Sequence, residues 1–195
     1  MSKLKIGVVV GSLRKDSLNR KLASALEKMA PKDFAFQHLR IDDLPLYNQD
    51  DDANPHANVK RLKSEIRSVQ ALLFVTPEYN RSIPGVLKNA LDHASRPYGQ
   101  NAWANKPAGV IGASIGTIAT AVAQQHLRTM LAYLDVPALG QPEAFIHAKE
   151  GFFDDVGNIA SDGSRKFLQG WMDRYVDWVR KHVPVALPQK EPVEA

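Results

Sequence analysis

Three short segments gather residue types that bind ligands rather than fill a core. The first reads Gly11-Ser12-Leu13-Arg14-Lys15-Asp16-Ser17-Leu18-Asn19 and runs straight into a helical pattern. Free N–H groups and the helix dipole at such a terminus favour an anion. Ser12, Ser17 and Asn19 add hydroxyl and amide donors, and Arg14 adds a bidentate charge-assisted contact suited to phosphate. The loop is not Walker A, since no Gly-Lys-Ser/Thr closes it, and its single glycine excludes the Gly-x-Gly-x-x-Gly dinucleotide loop. Donors converging on one point suit a single terminal phosphate better than a bridging pyrophosphate. The same residues also read as a plain helix start, with Ser17 or Asp16 as cap and Arg14 in solvent. Asp16 opposes an anion site unless its carboxylate points away.

The second segment is Thr76-Pro77-Glu78-Tyr79-Asn80-Arg81-Ser82-Ile83-Pro84-Gly85, between an apolar run and a helix. Two prolines stiffen it, so its backbone N–H groups hold a fixed direction. A planar heterocycle with alternating donors and acceptors would pair with such a loop through the main chain, which leaves the Glu78 carboxylate free beside it. A rigid turn with a surface tyrosine is the plainer alternative. In the third segment, Gly112-Ala113-Ser114-Ile115-Gly116-Thr117, small residues let a flat ligand approach the backbone. Tight packing explains it equally well.

Other chemistries find no support. The six histidines, at 38, 56, 93, 126, 147 and 182, lack metal-ligand spacing, and no His-Glu-x-x-His or Gly-x-Ser-x-Gly occurs. Asp50-Asp51-Asp52 reads as a solvated acidic loop and the Trp171/Tyr175/Trp178 stripe as core. The absence of cysteine removes disulfides, zinc–thiolate sites and thiol nucleophiles together.

The elements that must position these loops follow from periodicity. Apolar runs at 4–10, 34–41, 71–75, 107–113 and 144–147 predict strands. Between and after them, helical spacing predicts helices over 18–30, from about 59 to 69, from Gly85, over about 117–135 and over about 164–182. Five βα repeats imply a parallel sheet covered on both faces, an α/β flavodoxin-like three-layer sandwich with strand order 2-1-3-4-5. Ligands of such sheets bind beyond the strand carboxyl ends at the switch point, where the loops after strands one, three and four meet. Residues 1–183 are expected to form a single domain, with a loose tail at 184–195 holding three prolines.

With 195 residues and 44% hydrophobic content, the chain can bury one full core. The net charge of +4 is spread along the chain, without the stripe or tail of a nucleic-acid binder. The start holds two lysines and a short apolar run, Ile6–Val10, less than a signal peptide needs, and no stretch approaches the ~20 apolar residues of a membrane span. A cytoplasmic protein with no membrane or nucleic-acid partner is expected.

Taken together, the residues resemble the NADPH-dependent FMN reductase family of flavodoxin-like proteins, nearest the bacterial quinone, chromate and azo reductases. The resemblance rests on Gly-Ser-Leu-Arg…Ser-x-Asn at 11–19, Thr-Pro-Glu-Tyr-Asn…Ser-Ile-Pro-Gly-x-Leu-Lys-Asn-Ala-Leu-Asp at 76–92, Ser114-x-Gly116 and Gln141-Pro142-Glu143, and spans about residues 4–146. It implies that Ser12, Arg14, Ser17 and Asn19, with Leu18 among them, hold the FMN phosphate. It further implies that Pro77, Glu78, Tyr79 and Asn80 line the isoalloxazine and that Ser114 and Gly116 border it from the other side. Bound FMN would take a hydride from NAD(P)H and deliver two electrons, by a ping-pong order, to a small-molecule acceptor such as a quinone, azo dye, nitroaromatic, chromate or flavin. No catalytic side chain is required, because the cofactor carries the chemistry. A homodimer or homotetramer is implied, with Leu44–Asn48 over a neighbour's flavin. A flavodoxin-type electron carrier and a non-enzymatic phosphate-binding module are the competing readings. The carrier fits poorly, since such carriers tend to be acidic.

Overall fold

The computed structural model describes residues 3–183. Five parallel strands, β1 (Leu4–Val10), β2 (Phe34–His38), β3 (Ala71–Val75), β4 (Ala108–Ser114) and β5 (Phe145–His147), form one sheet in the order β2-β1-β3-β4-β5. This is the flavodoxin-like order, and the expected switch point lies between β1 and β3. All five residues of β3 are buried, as a central strand covered on both faces requires.

Alternation along the strands builds two cores. Ile6, Val8, Leu73, Val75 and Ile111 face α1 (Leu18–Met29) and α5 (Asp162–His182), while Val9, Leu72, Phe74 and Val110 face α2 (Ala57–Ser68), α3 (Gly85–Ser95) and α4 (Ala121–Tyr133). The aromatic stripe of α5 is core: Trp171 and Tyr175 stack at 5.7 Å, and the buried Tyr175 hydroxyl donates to Leu72 O at 2.8 Å. Burial pushes that phenol well above its ordinary range. The expected tail at 184–195 lies outside the described residues. Among the described residues no helix is long and apolar enough to cross a membrane.

Some boundaries differ from expectation for local reasons. β2 ends at His38 rather than Ile41. The Leu39 N–H still bonds Val8 O at 2.9 Å, but Arg40 then turns out to Asp42, with Nε donating to Oδ1 at 2.8 Å. Leu39 and Ile41 look strand-like because both pack under the α2 face from outside the ladder. α4 starts at Ala121 rather than Thr117, because Ala119 has φ +53°, a left-handed value no α-helix accommodates. α5 starts two residues early, where the Ser161 hydroxyl accepts from the Ser164 N–H at 3.2 Å.

The loops at the carboxyl edge require two strands to approach closely. A Cβ built on Gly112 would stand 2.0 Å from Thr76 O and 2.8 Å from the Thr120 hydroxyl. The carbonyl is backbone and cannot step aside, so only glycine fits. Gly112→Ala is expected to cost at least about 3 kcal/mol, as overpacking of a fixed core does. In a chain of this size that is on the order of 10 °C in Tm, readable by thermal melting. The loss of bound cofactor should accompany it.

Candidate functional site

The sheet holds the three loops at one edge. The Gly11 N–H donates to Val75 O at 2.9 Å and the Thr76 N–H to Ile111 O at 3.0 Å, which fixes where each strand stops. In the first loop, Ser12, Ser17 and Asn19 are buried, whereas Arg14 and Asp16 are exposed and Leu18 is half-buried. Ser17 is the N-cap of α1, its hydroxyl accepting from the Arg20 N–H at 3.3 Å. Lys15 and Asp16 form a turn, and no other backbone N–H from Ser12 to Asn19 has a partner among the described contacts. Such a run of unengaged donors at a helix start is what an anionic ligand would satisfy.

Asn19 does more than its position in the motif suggests. Its Nδ2 donates to Ala113 O and its Oδ1 accepts from Ala113 N, both at 2.9 Å. This buried clip ties the start of α1 to the end of β4, and it leaves one amide N–H for any ligand.

The second loop is a rigid two-residue hairpin. Tyr79 and Ser82 exchange both backbone bonds, at 2.9 and 3.0 Å, around Asn80 (φ +50°) and Arg81 (φ +64°). Pro77 is buried, and Tyr79 and Asn80 are exposed. Glu78 corrects the expectation of a carboxylate left free beside the ligand. Its side chain is 6% exposed, with Oε1 accepting from Arg81 Nη1 and Oε2 from the Ala123 N–H, both at 3.0 Å. Ala123 lies in the first turn of α4, whose N-cap Thr120 makes no side-chain capping bond. Glu78 therefore caps α4 from another loop and favours its positive end.

Ser114 and Gly116 form the facing wall, the Gly116 N–H donating to the Ser114 hydroxyl at 3.2 Å. A cavity of about 370 Å³ opens between the second and third loops, lined by Glu78, Asn80, Arg81, Ser114, Gly116 and residues 117–119. Its volume suits a small organic ligand, in the ~300–1,000 Å³ range of such sites. Of the cavity lining, the segments singled out in the sequence leave out Ile118 and Ala119. The change from strand to helix period past Gly116 was the available signal for both. The three loops thus belong to one sheet edge, at the switch point, and the cavity itself is bordered by the second and third.

The fold is that of a flavodoxin-like protein, with the three loops gathered at the sheet edge where such folds bind ligands. Residues 4–151 match the NADPH-dependent FMN reductase family, and the chain belongs to it. It is 54% identical to a 2-hydroxy-1,4-benzoquinone reductase of Burkholderia sp over 177 residues, 91% of this chain and 97% of that one. It is 49% identical to a quinone reductase of Pseudomonas putida over 176 residues, 90% and 94% of the two chains. Among solved structures it is similar to FerB, a flavoenzyme NAD(P)H:acceptor oxidoreductase of Paracoccus denitrificans, with TM-score 0.88, 47% identity and coverage of 92% and 98%. The protein is an NAD(P)H-dependent flavoenzyme of this family, with FMN as cofactor and NAD(P)H as co-substrate.

The Glu78 bridge makes a direct prediction. Glu78→Ala leaves the Ala123 N–H and the Arg81 guanidinium without their acceptor, at an expected cost of about 1.5–3 kcal/mol in urea unfolding of the holoprotein. Glu78→Gln keeps an oxygen for Ala123 and should lose less than half as much.

Proposed function

We propose that the loop from Ser12 to Asn19 receives the FMN phosphate and that the protein reduces quinones by a two-electron, ping-pong reaction. The observation that carries this reading is the run of unengaged N–H groups around Arg14, at the start of α1. The hydroxyls of Ser12 and Ser17, the remaining Asn19 N–H and the Arg14 guanidinium complete a donor set without a competing buried carboxylate, since Asp16 is exposed. Leu18 contributes its backbone N–H. Pro77, Glu78, Tyr79 and Asn80 line one side of the flavin ring, and Ser114 and Gly116 the other.

When bound, FMN supplies a hydride acceptor for NAD(P)H and a two-electron donor for the substrate. The protein's part is to bind and orient. The hairpin at 79–82 fixes the backbone N–H groups, Glu78 holds the start of α4, and the Asn19 clip fixes the end of β4 relative to the first loop. The overall reaction balances without a protein acid or base: a hydride from NAD(P)H and a proton from solvent convert the quinone to the quinol. The quinone class is supported by the relatives at 54% and 49% identity, whose printed activities are quinone reductions.

Residues 1–183 act as a single domain in this reading, in the cytoplasm, on small-molecule acceptors and without nucleic acid or membrane. Leu13, Tyr79, Ile115 and Ile118 are 54%, 45%, 77% and 46% exposed around the site. Their apolar area supports a homodimer or homotetramer whose subunits meet there.

Two measurements test the proposal. Arg14→Ala should weaken FMN binding by about 1.5–3 kcal/mol in a titration of the apoprotein while leaving the fold intact, as the loss of one charge-assisted bond does. Steady-state rates with NADH and a quinone should give parallel double-reciprocal lines. Intersecting lines would mean both substrates bind together and would exclude the ping-pong order.

A further inference from the structure

Arg81 is unusual in conformation, in charge environment and in place. Among the described residues five non-glycine positions have positive φ, and three of them, Asn80, Arg81 and Ala119, line the same cavity. Left-handed backbone costs an ordinary residue roughly 1–2 kcal/mol, and such strain collects at functional sites. Arginine has no special tolerance of that region, whereas asparagine and glycine do.

The charge balance around it is positive. Among the described residues Glu78 is the only acidic one lining the cavity, and it is compensated twice, by Arg81 and by the positive end of α4 through Ala123. Of the five N–H donors of a guanidinium, the described contacts engage only Nη1, with Glu78. The Arg81 side chain lines the cavity and is 63% exposed, so its other donors are accessible there. Glu78 thus works as an anchor that orients the fork without saturating it.

We propose that Arg81 is a specificity-determining residue that favours acceptors carrying an anionic oxygen next to the quinone carbonyl, such as a deprotonated hydroxyquinone. A hydroxyl conjugated to a quinone carbonyl is a vinylogous carboxylic acid and is ionised at neutral pH. The resulting pair of adjacent oxygens presents the planar, two-point acceptor geometry that a guanidinium matches. The proposal rests on the quinone-reductase reading above and adds a substrate subclass to it.

The test compares two quinones of nearly equal size, anionic 2-hydroxy-1,4-benzoquinone and neutral 2-methyl-1,4-benzoquinone, with the same reductant. Arg81→Asn removes the charge but keeps a residue that accepts the left-handed backbone, and Arg81→Lys keeps the charge without the fork. In Arg81→Asn the ratio of kcat/KM, anionic over neutral, should fall about tenfold, through KM, as the loss of one charge-assisted contact predicts. Arg81→Lys should fall between that variant and the wild type. Titration of the oxidised holoenzyme with the hydroxyquinone, without reductant, should show Kd rising in the same proportion. A ratio unchanged in Arg81→Asn, or an equal loss on both quinones with a lowered Tm, overturns the inference and leaves Arg81 a turn residue. A wild type that turns over neither quinone overturns the quinone-reductase reading itself, and the inference falls with it.

Discussion

The approach of β4 to β3 at Gly112 and Thr76 governs the whole carboxyl edge. With 2.0 Å between Thr76 O and the place of a Cβ on residue 112, the two backbones leave no room for any side chain at that position. The end of β4 is then held from the other side by the two bonds of Asn19 to Ala113. The first loop, the central strands and the third loop consequently form one rigid unit. A site distributed over three loops far apart in the chain needs such a constraint, because errors near 1 Å defeat orientation of reacting groups.

Glu78 extends the same logic to the second loop. Its carboxylate joins a hairpin in left-handed backbone to the first turn of α4, across 45 residues. The strain at Asn80 and Arg81 persists because the two Tyr79–Ser82 bonds and the Glu78 pair over-determine the turn. Preorganisation of this kind suits a protein whose cofactor does the chemistry and whose own task is to hold it.

Most of the fold was legible in the sequence because its signals are local. Five β-branched or apolar runs alternating with helical periods dictate a doubly wound parallel sheet, and the strand order followed from their number. The loops flagged as ligand-binding were found by residue type against a helix start or a pair of prolines. What could not be read was long-range. Asn19 looks like one more donor in a phosphate motif, and nothing local says that its amide fits the backbone of Ala113, 94 residues on. Glu78 looks free for the same reason. Leu39 and Ile41 mimic a strand because burial, not pairing, sets their alternation.

The proposed role of residues 12–19 is tested most directly by comparing FMN with riboflavin, which lacks only the phosphate. Titrated into the same apoprotein, FMN should bind at least about a hundredfold more tightly, as two or more charge-assisted hydrogen bonds to one group imply. Equal affinities for the two flavins would mean that residues 12–19 are a helix start and nothing more, and would contradict the assignment of this edge.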